Sequence, residues 1–460
     1  MKGEVLFPPA VLAIVAAAGI ALLTPFGMLV PFAIAGVIAG GVLWAYPILA
    51  VFVLVGLAPF ASLMEIGPIT PGKLAGAGGL GVMIGQIAFG QRSLGELATK
   101  MWIPIAAMVA ITFFGVVFIS ESPFALAVLR KLITAVILFA IVLYCAPDLK
   151  ISTATRILVI GGTLPCLAAL LIDTSHIENG RATGFQNDPN IFAMFILYTM
   201  PLTATLIILE KKWWVRVGLG LALLIQLLSF LEAGSRSGLL VLAASCLILV
   251  PMAWRAFRAL NWAQRLSLMG AAGVMSLLAL AVAPDSYKTR IVQLLPGSTI
   301  AEPDRSIGRR ASYIEVGAEM IAESPVFGKG PGSFRDRFAE SGQAIQYASS
   351  KEVESLWRRA HNSYLEITAE TGLLGLSAFL ALLASVIANF QWVRMKALAI
   401  DSPDTFVLAS GYLISFVCGA MFLMFLTHHI HEYLWAFAAL SVIWRHRLEA
   451  LSPAVAPTKA

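Results

Sequence analysis

The chain has 460 residues, of which 59% are hydrophobic and 13% charged, and its mean hydropathy is +0.84. Soluble domains are about 45–50% apolar and about 25% charged, so this composition excludes an ordinary soluble protein and indicates one that crosses a membrane many times. The net charge of +6 is weak evidence for nucleic-acid binding, because excess Lys and Arg in such a protein mainly sets the orientation of its helices.

Apolar runs long enough to cross a bilayer occur along most of the chain, since a spanning helix needs about 20 apolar residues. The candidate runs are 8–24, 26–44, 46–64, 73–90, 101–120, 124–146, 154–173, 190–209, 213–231, 235–253, 266–284, 363–392, 405–426 and 430–444. The first run resembles a signal peptide, but the many later runs favour an uncleaved first span. The glycine-rich run at 73–90 leaves a re-entrant segment as an alternative, and Arg130 and Lys131 interrupt the run at 124–146. We predict an all-α polytopic membrane protein with about 12–14 transmembrane helices.

Basic residues concentrate in alternate loops, and the positive-inside rule then places both termini in the cytoplasm and the long segment 285–360 outside. This segment contains the stretch SYIEVGAEMIAES, which is typical of an amphipathic helix, and a Gly/Pro turn at 328–334. Long loops in compact proteins are usually functional. The predicted organisation is an N-terminal transmembrane bundle (1–284), a periplasmic loop (285–360), C-terminal transmembrane helices (361–446) and a cytoplasmic tail (447–460).

A short motif lies where the charged outer segment meets the next apolar run, in the sequence RRAHNSYLEITAETGLLGL (358–376). It contains His361 and Asn362, nine further residues, and then Gly372 and Gly375. Imidazole has a pKa near neutrality and can take a proton from a hydroxyl nucleophile. His361 is therefore our candidate catalytic residue, and the alternative is an interfacial histidine that anchors the helix.

Several arginines on the same predicted face could bind a phosphate group, because guanidinium binds phosphate through two parallel hydrogen bonds. Arg236 lies in the sequence GSRSG at the outer end of a predicted span, where pairing with Glu232 one turn earlier is the alternative. Arg309 and Arg310 begin the amphipathic stretch of the outer loop, where a solvated surface is the alternative.

A further outer loop contains Arg181 and the sequence GFQNDPN (184–190). Asn187, Asp188 and Asn190 surround a proline and suit a turn that caps the next helix. Contact with a substrate is the alternative for this loop.

The sequence THHIHE places His428, His429 and His431 at the outer end of a span. His428 and His431 could share one helical face and hold a metal ion, although packing or substrate contact fits as well. The four cysteines lie in apolar runs without CxxC spacing, so we expect small buried residues. Asp-x-Asp, Walker A and Rossmann sequences are absent from the chain, which disfavours an ATP-driven or nucleotide-sugar enzyme. We expect no metal and no cofactor.

The spacing of His361-Asn362 and Gly372-x-x-Gly375 resembles the H-[NSQ]-x9-G-x-x-[GTY] signature of the O-antigen ligase and polymerase superfamily, which includes WaaL-, Wzy- and ExoQ-type membrane proteins. The GFQNDPN segment, the Ser-Arg pair at Arg236 and the sequence P-x-x-G-x-G-P-G-x-F (325–334) follow the same family's pattern. The resemblance covers residues 180–440 approximately. One departure is that Tyr313 and Ile314 follow the loop arginine, where the family often has Trp.

This resemblance implies an inverting, metal-independent glycosyltransferase of the GT-C type, located in the bacterial inner membrane with its active site facing the periplasm. It implies His361 as the catalytic residue and Arg236 and Arg310 as pyrophosphate-binding residues, with Arg309 as the alternative to Arg310. Arg181, Asn190 and Asn362 are further candidate substrate-binding residues.

The implied donor is a glycan on undecaprenyl pyrophosphate, and the predicted acceptor is lipid A-core, as in an O-antigen ligase. The first alternative is a polymerase that joins one lipid-linked glycan to another. A transporter or flippase is less favoured, because it predicts charges near the middle of the bilayer and inverted repeats.

Overall fold

The computed structural model describes residues 30–60, 70–172, 181–259, 305–347 and 356–451, together with Trp262, Arg265, Leu266 and Met269. These residues form helices joined by turns and loops, and no strand occurs among them. The helices are α1 (Val30–Ala45), α2 (Ile48–Leu57), α3 (Pro71–Ala88), α4 (Trp102–Phe118), α5 (Ala125–Tyr144), α6 (Ile151–Leu171), α7 (Pro189–Leu209), α8 (Trp213–Glu232), α9 (Arg236–Ala259), α10 (Arg305–Glu323), α11 (Ser333–Glu340), α12 (Gly342–Tyr347), α13 (Ser363–Ala399), α14 (Pro403–Phe422) and α15 (Glu432–Ala450). The predicted all-α fold is confirmed.

Six helices of the described part are long and apolar enough to cross a membrane, namely α5, α6, α7, α8, α13 and α14. The segments Ile34–Ala45 and Ile48–Phe60 pass the same test only as a pair, which bends by 109°. Two further apolar helices, α4 and the segment Arg236–Leu247, are shorter. The chain is therefore a multi-pass membrane protein.

Each predicted apolar run in the described part coincides with a helix, but six of these helices, or seven with the bent pair, qualify as spans there, fewer than the predicted 12–14. The run at 73–90 forms one continuous helix, α3, although its glycine-rich sequence is less apolar than the six spans. The runs at 8–24 and 266–284 lie outside the continuously described residues. The cysteines follow the prediction with one exception, since Cys246 on α9 is exposed whereas the other three are buried.

Helix α15 lies at the centre of the bundle. Leu434, Trp435 and Phe437 on it are fully buried, and it packs against α5 and α13. A helix that is apolar on all sides is stable only when other helices surround it, which explains its position. Around it, α13 packs against α4 and α14, and α7 packs against α8 and α14.

The outer loop has a small core of its own. Tyr313, Val316 and Met320 recur at helical spacing on α10 and pack against Phe334 and Phe338 of α11. This confirms the predicted amphipathic helix, which begins at Arg305, before the predicted Arg309. Helices α10 and α11 both contact α13, so the loop covers the end of the bundle from which α13 starts.

Candidate active site

His361 lies two residues before α13, in a backbone conformation that fixes its direction. Its φ angle is +49°, which is uncommon for a residue other than glycine. The Asn362 side-chain oxygen accepts the Leu365 N–H at 3.1 Å and caps the helix. The half-buried imidazole stacks on the ring of Tyr313, with ring centroids 5.6 Å apart and planes at 16°. The helix cap and α10 therefore hold the imidazole from two sides.

The spacing between His361 and Gly372 corresponds to a short first segment of α13. At Gly372 the helix breaks, with φ at 67° and ψ at −170°. The N–H of Leu373, which the break frees, donates to the Pro325 carbonyl at 2.8 Å. A Cβ at Gly372 would overlap the Val326 carbonyl, and one at Gly375 would overlap the Thr371 hydroxyl. Gly372 thus allows the outer loop to cross the helix at this point, and Gly375 leaves room for the Thr371 side chain of the same helix.

The Gly/Pro turn at 328–334 binds the same short segment through its backbone. Lys329 N–H donates to the Ala369 carbonyl at 2.9 Å, and Gly330 N–H donates to the Glu370 carbonyl at 2.8 Å. Phe334 N–H donates to the Glu370 side chain at 3.3 Å. The motifs at 325–334 and 361–375, which are separate in sequence, therefore form one unit that positions His361.

Arg310 reaches from α10 to the first turn of α9. Its Nη1 donates to the Ser237 hydroxyl at 3.0 Å, and its guanidinium lies 5.9 Å from the centre of the Phe425 ring. Ser237 follows Arg236 directly, so the structure brings together the two segments that contain the predicted pyrophosphate-binding arginines. Burial lowers the pKa of Arg310, and the charge of Arg309 lowers it further. Two cations therefore lie close together at a half-buried position.

Arg181 and Asn190, both predicted to bind substrate, contact each other. Arg181 donates from Nη2 to the Asn190 side-chain oxygen at 3.1 Å and from Nε to the Ala233 carbonyl at 2.8 Å. Ser235 donates to the same Asn190 oxygen at 2.8 Å. These contacts fix the turn that precedes α9. Asp188 caps α7 through the N–H of Asn190 at 2.6 Å, as predicted.

Burial is the main reason that the pKa of His361 is low and its ring neutral. Burial lowers the pKa of His361 to about 4, and Arg310 and Arg309 lower it while Asp188 and Glu366 raise it. At neutral pH the imidazole is uncharged and has a nitrogen lone pair that can accept a proton. The site therefore combines a neutral base with two neighbouring cations.

Asp188, Tyr313 and Glu366 are parts of this site that we did not predict as site residues. The buried Glu366 carboxylate accepts hydrogen bonds from Arg359 Nη2 at 2.7 Å and from Ala360 N–H at 2.9 Å. It thereby fixes the backbone on the other side of His361. The available sequence signal was a carboxylate in the first turns of a helix that follows a basic pair.

The prediction that His428 and His431 share one face of a helix is wrong. These residues lie in the loop between α14 and α15, where their rings stack with centroids 5.3 Å apart. His431 ends this loop and shares a hydrogen bond of 3.2 Å with the Tyr198 hydroxyl. His428 N–H donates to the Ser363 hydroxyl, which ties the loop to the start of α13. Across the described ranges, three or more His, Cys, Asp or Glu side chains are nowhere arranged to hold a metal ion.

Two comparisons with known proteins agree with the sequence motifs. Residues 221–380 match the model of the O-antigen ligase family. The chain is also 27% identical over 383 residues, 78% of this chain and 81% of the relative, to the exopolysaccharide production protein ExoQ of Rhizobium meliloti (strain 1021). The family match includes Arg236, Arg310 and His361. These two matches confirm the resemblance to the O-antigen ligase and polymerase superfamily.

Proposed function

We propose that this protein is a metal-independent, inverting glycosyltransferase of the GT-C type that moves a glycan from undecaprenyl pyrophosphate to a hydroxyl group of a second lipid-anchored molecule. The observation that carries the proposal is the neutral His361 imidazole within range of the Arg309 and Arg310 charges. A transfer of this kind needs a base for the incoming hydroxyl and cations for the departing pyrophosphate. The described site provides both kinds of group.

In the proposed reaction the acceptor oxygen attacks the anomeric carbon of the donor glycan from the face opposite the pyrophosphate. The new bond joins the acceptor oxygen to the anomeric carbon, and the bond from that carbon to the pyrophosphate oxygen breaks. The bonding electrons leave with the lipid pyrophosphate, and the hydroxyl proton passes to His361. Arg236 and Arg310 stabilise the negative charge that develops on the leaving group.

In the proposed reaction, binding of the donor also changes the pKa of His361. Arg309 and Arg310 lower the pKa of His361. A bound pyrophosphate offsets their positive charges, so the proton affinity of His361 rises when the donor is in place. His361 is then more basic when the donor is bound.

The predicted acceptor is lipid A-core, which makes the reaction an O-antigen ligation. A second candidate acceptor is another lipid-linked glycan, which makes it a polymerisation. The similarity to a protein named for exopolysaccharide production favours the second candidate. We place the protein in the bacterial inner membrane with the active site facing the periplasm. The distribution of Lys and Arg among its loops supports this orientation.

The proposal is tested with purified protein in lipid vesicles and a radiolabelled lipid-pyrophosphate glycan as donor. Lipid A-core and a second lipid-linked glycan are supplied separately, and the labelled product is measured. We expect transfer to one of these acceptors and a loss of about 100-fold or more in Arg236→Ala. The control is Arg337→Ala, because Arg337 lies on α11 and pairs with Glu323 away from the site. Full activity in Arg236→Ala, or no transfer by the unaltered protein, contradicts the proposal.

A further inference from the structure

A second group of basic residues lies near His361, on helices that do not contribute to the arginine site. We call Arg130, Lys131 and Arg335 the distal basic cluster. Arg335 on α11 lies over the Phe124 ring, with its guanidinium 4.8 Å from the ring centre, and Phe124 directly precedes α5. Arg130 and Lys131 are in the second turn of α5, and Lys131 is within electrostatic range of Arg335. The cluster therefore joins the outer loop to a membrane-spanning helix.

The distal basic cluster has no carboxylate paired with it directly, although Asp336, Glu366 and Glu370 lie within electrostatic range of Arg335. Within the described ranges, no salt bridge involves Arg130, Lys131 or Arg335. Arg359 lies beside the cluster and is bonded to Glu366. Burial lowers the pKa of Arg335, and the charge of Arg359 lowers it further. Arg335 is half-buried, whereas Arg130 and Lys131 are exposed. Like charges held together at such a surface attract a ligand with several negative charges.

An apolar groove adjoins the cluster on the surface of α5. Its volume is about 530 Å³, and its walls include Pro123, Leu126, Leu129 and Ile133 together with Arg130. Leu126 is 69% exposed and Ile133 is 43% exposed. Exposed apolar side chains on a membrane-spanning helix suit contact with a hydrocarbon chain. The groove thus suits the lipid part of a molecule whose charged group lies at Arg130 and Lys131.

Arg359 and Trp357 link the cluster to the candidate catalytic histidine. Arg359 precedes His361 by two residues, and Trp357 contacts Phe124 with ring centroids 5.6 Å apart. The cluster is built from α5 and α11, whereas Arg310 bonds to α9. Inversion requires the acceptor to approach the anomeric carbon from the face opposite the leaving group. Because the two groups of cations lie on different helices, the donor and a second anionic lipid can be bound separately.

We propose that the distal basic cluster and the groove on α5 bind the acceptor, and that this acceptor is a glycan on a lipid pyrophosphate, a second molecule of the donor's class. The inference rests on the proposed glycosyl transfer and selects polymerisation as its form. The three cations bind the acceptor's pyrophosphate, the groove holds part of its lipid, and its glycan extends toward His361.

The test compares two acceptors that differ in charge. One carries the glycan on a lipid pyrophosphate through a carbon in place of the glycosidic oxygen, so that it cannot act as a donor. The other carries the same glycan on a neutral alkyl lipid of equal length. Acceptor KM and donor KM are measured for the unaltered protein, Lys131→Gln with Arg335→Gln, the charge-conserving Lys131→Arg with Arg335→Lys, and the control Arg337→Gln. Vesicles of zwitterionic and of anionic phospholipid are both used.

We expect the unaltered protein to have an acceptor KM about tenfold lower for the charged acceptor than for the neutral one. The glutamine pair removes this preference without a matching rise in donor KM, while the charge-conserving pair and Arg337→Gln keep it. The inference is wrong if the glutamine pair keeps the preference, if its effect vanishes in zwitterionic vesicles, or if lipid A-core is the sole acceptor used. Failure of the unaltered protein to release glycan from the donor is a different outcome and contradicts the proposed function itself.

Discussion

Two arginines beside His361 have different partners, and the difference separates their roles. Arg310 donates to the neutral hydroxyl of Ser237 at 3.0 Å. Arg359 donates two hydrogen bonds to the Glu366 carboxylate, at 2.9 Å and 2.7 Å. A hydroxyl leaves the guanidinium without a directly bonded carboxylate, although the Asp188 charge acts on Arg310 from a distance, whereas the bonded Glu366 carboxylate neutralises Arg359. Arg310 therefore remains able to bind an anion, while Arg359 fixes the backbone that carries His361.

The largest expected effect is on transfer activity when Arg310 is removed. Arg310→Ala should lower kcat/KM for the donor by about 100- to 1,000-fold, because it deletes a cation that stabilises the leaving group. Its thermal unfolding midpoint should change little, since the lost hydrogen bond is to a single hydroxyl. Steady-state kinetics and thermal unfolding in detergent measure the two quantities. A drop of less than threefold in kcat/KM would contradict the assignment of Arg310 to the site.

Breaking the pair of Arg359 and Glu366 should lower the stability of the protein clearly, unlike the removal of Arg310. Glu366→Gln leaves the Arg359 charge without its carboxylate, at a cost of about 3 kcal/mol in the free energy of unfolding. The thermal unfolding midpoint should fall clearly, and kcat should fall more than donor KM rises, because the His361 backbone loses a support. Equal stability of Glu366→Gln and the unaltered protein would contradict the role given to Arg359.

The pH dependence of kcat/KM should report the environment of His361 in the free enzyme. Burial and the two arginines depress its pKa to about 4, so the neutral imidazole predominates above that value. The His361-dependent rate should stay level from pH 7 to about 5 and fall as the pH drops through about 4. Asp188→Asn, which keeps a capping side chain, should move this fall to lower pH because the Asp188 charge raises the pKa. A fall in rate centred near pH 6.5 would show that the pKa of His361 is not shifted.

The smallest expected effect concerns the ring that stacks on His361. Tyr313→Phe keeps the aromatic stack and should retain nearly full activity. Tyr313→Leu removes the stack and should lower kcat by about three- to tenfold, equivalent to 0.5–1.5 kcal/mol for an aromatic pair. The rates of the two variants, measured side by side at saturating donor, decide the point. Equal rates in Phe and Leu would mean that the stack does not position His361.

The sequence predicted the helices well, because they depend on local pattern, and the catalytic role of His361 stays a prediction. Long apolar runs define the spans, and the spacing from His361 to Gly372 reflects the length of one short helix. The contacts that complete the site could not be read in this way. Leu373 bonds to Pro325, and Arg310 bonds to Ser237, across 48 and 73 positions of the chain.

The same limit applies to the histidines near the C-terminus. His428 and His431 have helical spacing in sequence, but the chain turns between α14 and α15 before α15 begins. Their rings still approach each other, through the turn rather than along a helix. Spacing alone did not distinguish these two geometries.

The central claim is that the neutral His361 takes the proton of the acceptor hydroxyl, and single-turnover transfer by His361→Ala tests it most directly. Labelled lipid-pyrophosphate glycan is bound to the enzyme first, acceptor is added in excess, and the rate of product formation is followed alongside donor affinity. We expect a rate loss of about 100-fold or more with donor affinity within a few-fold of that of the unaltered protein. Transfer at an undiminished rate would show that another group, or none, accepts the proton.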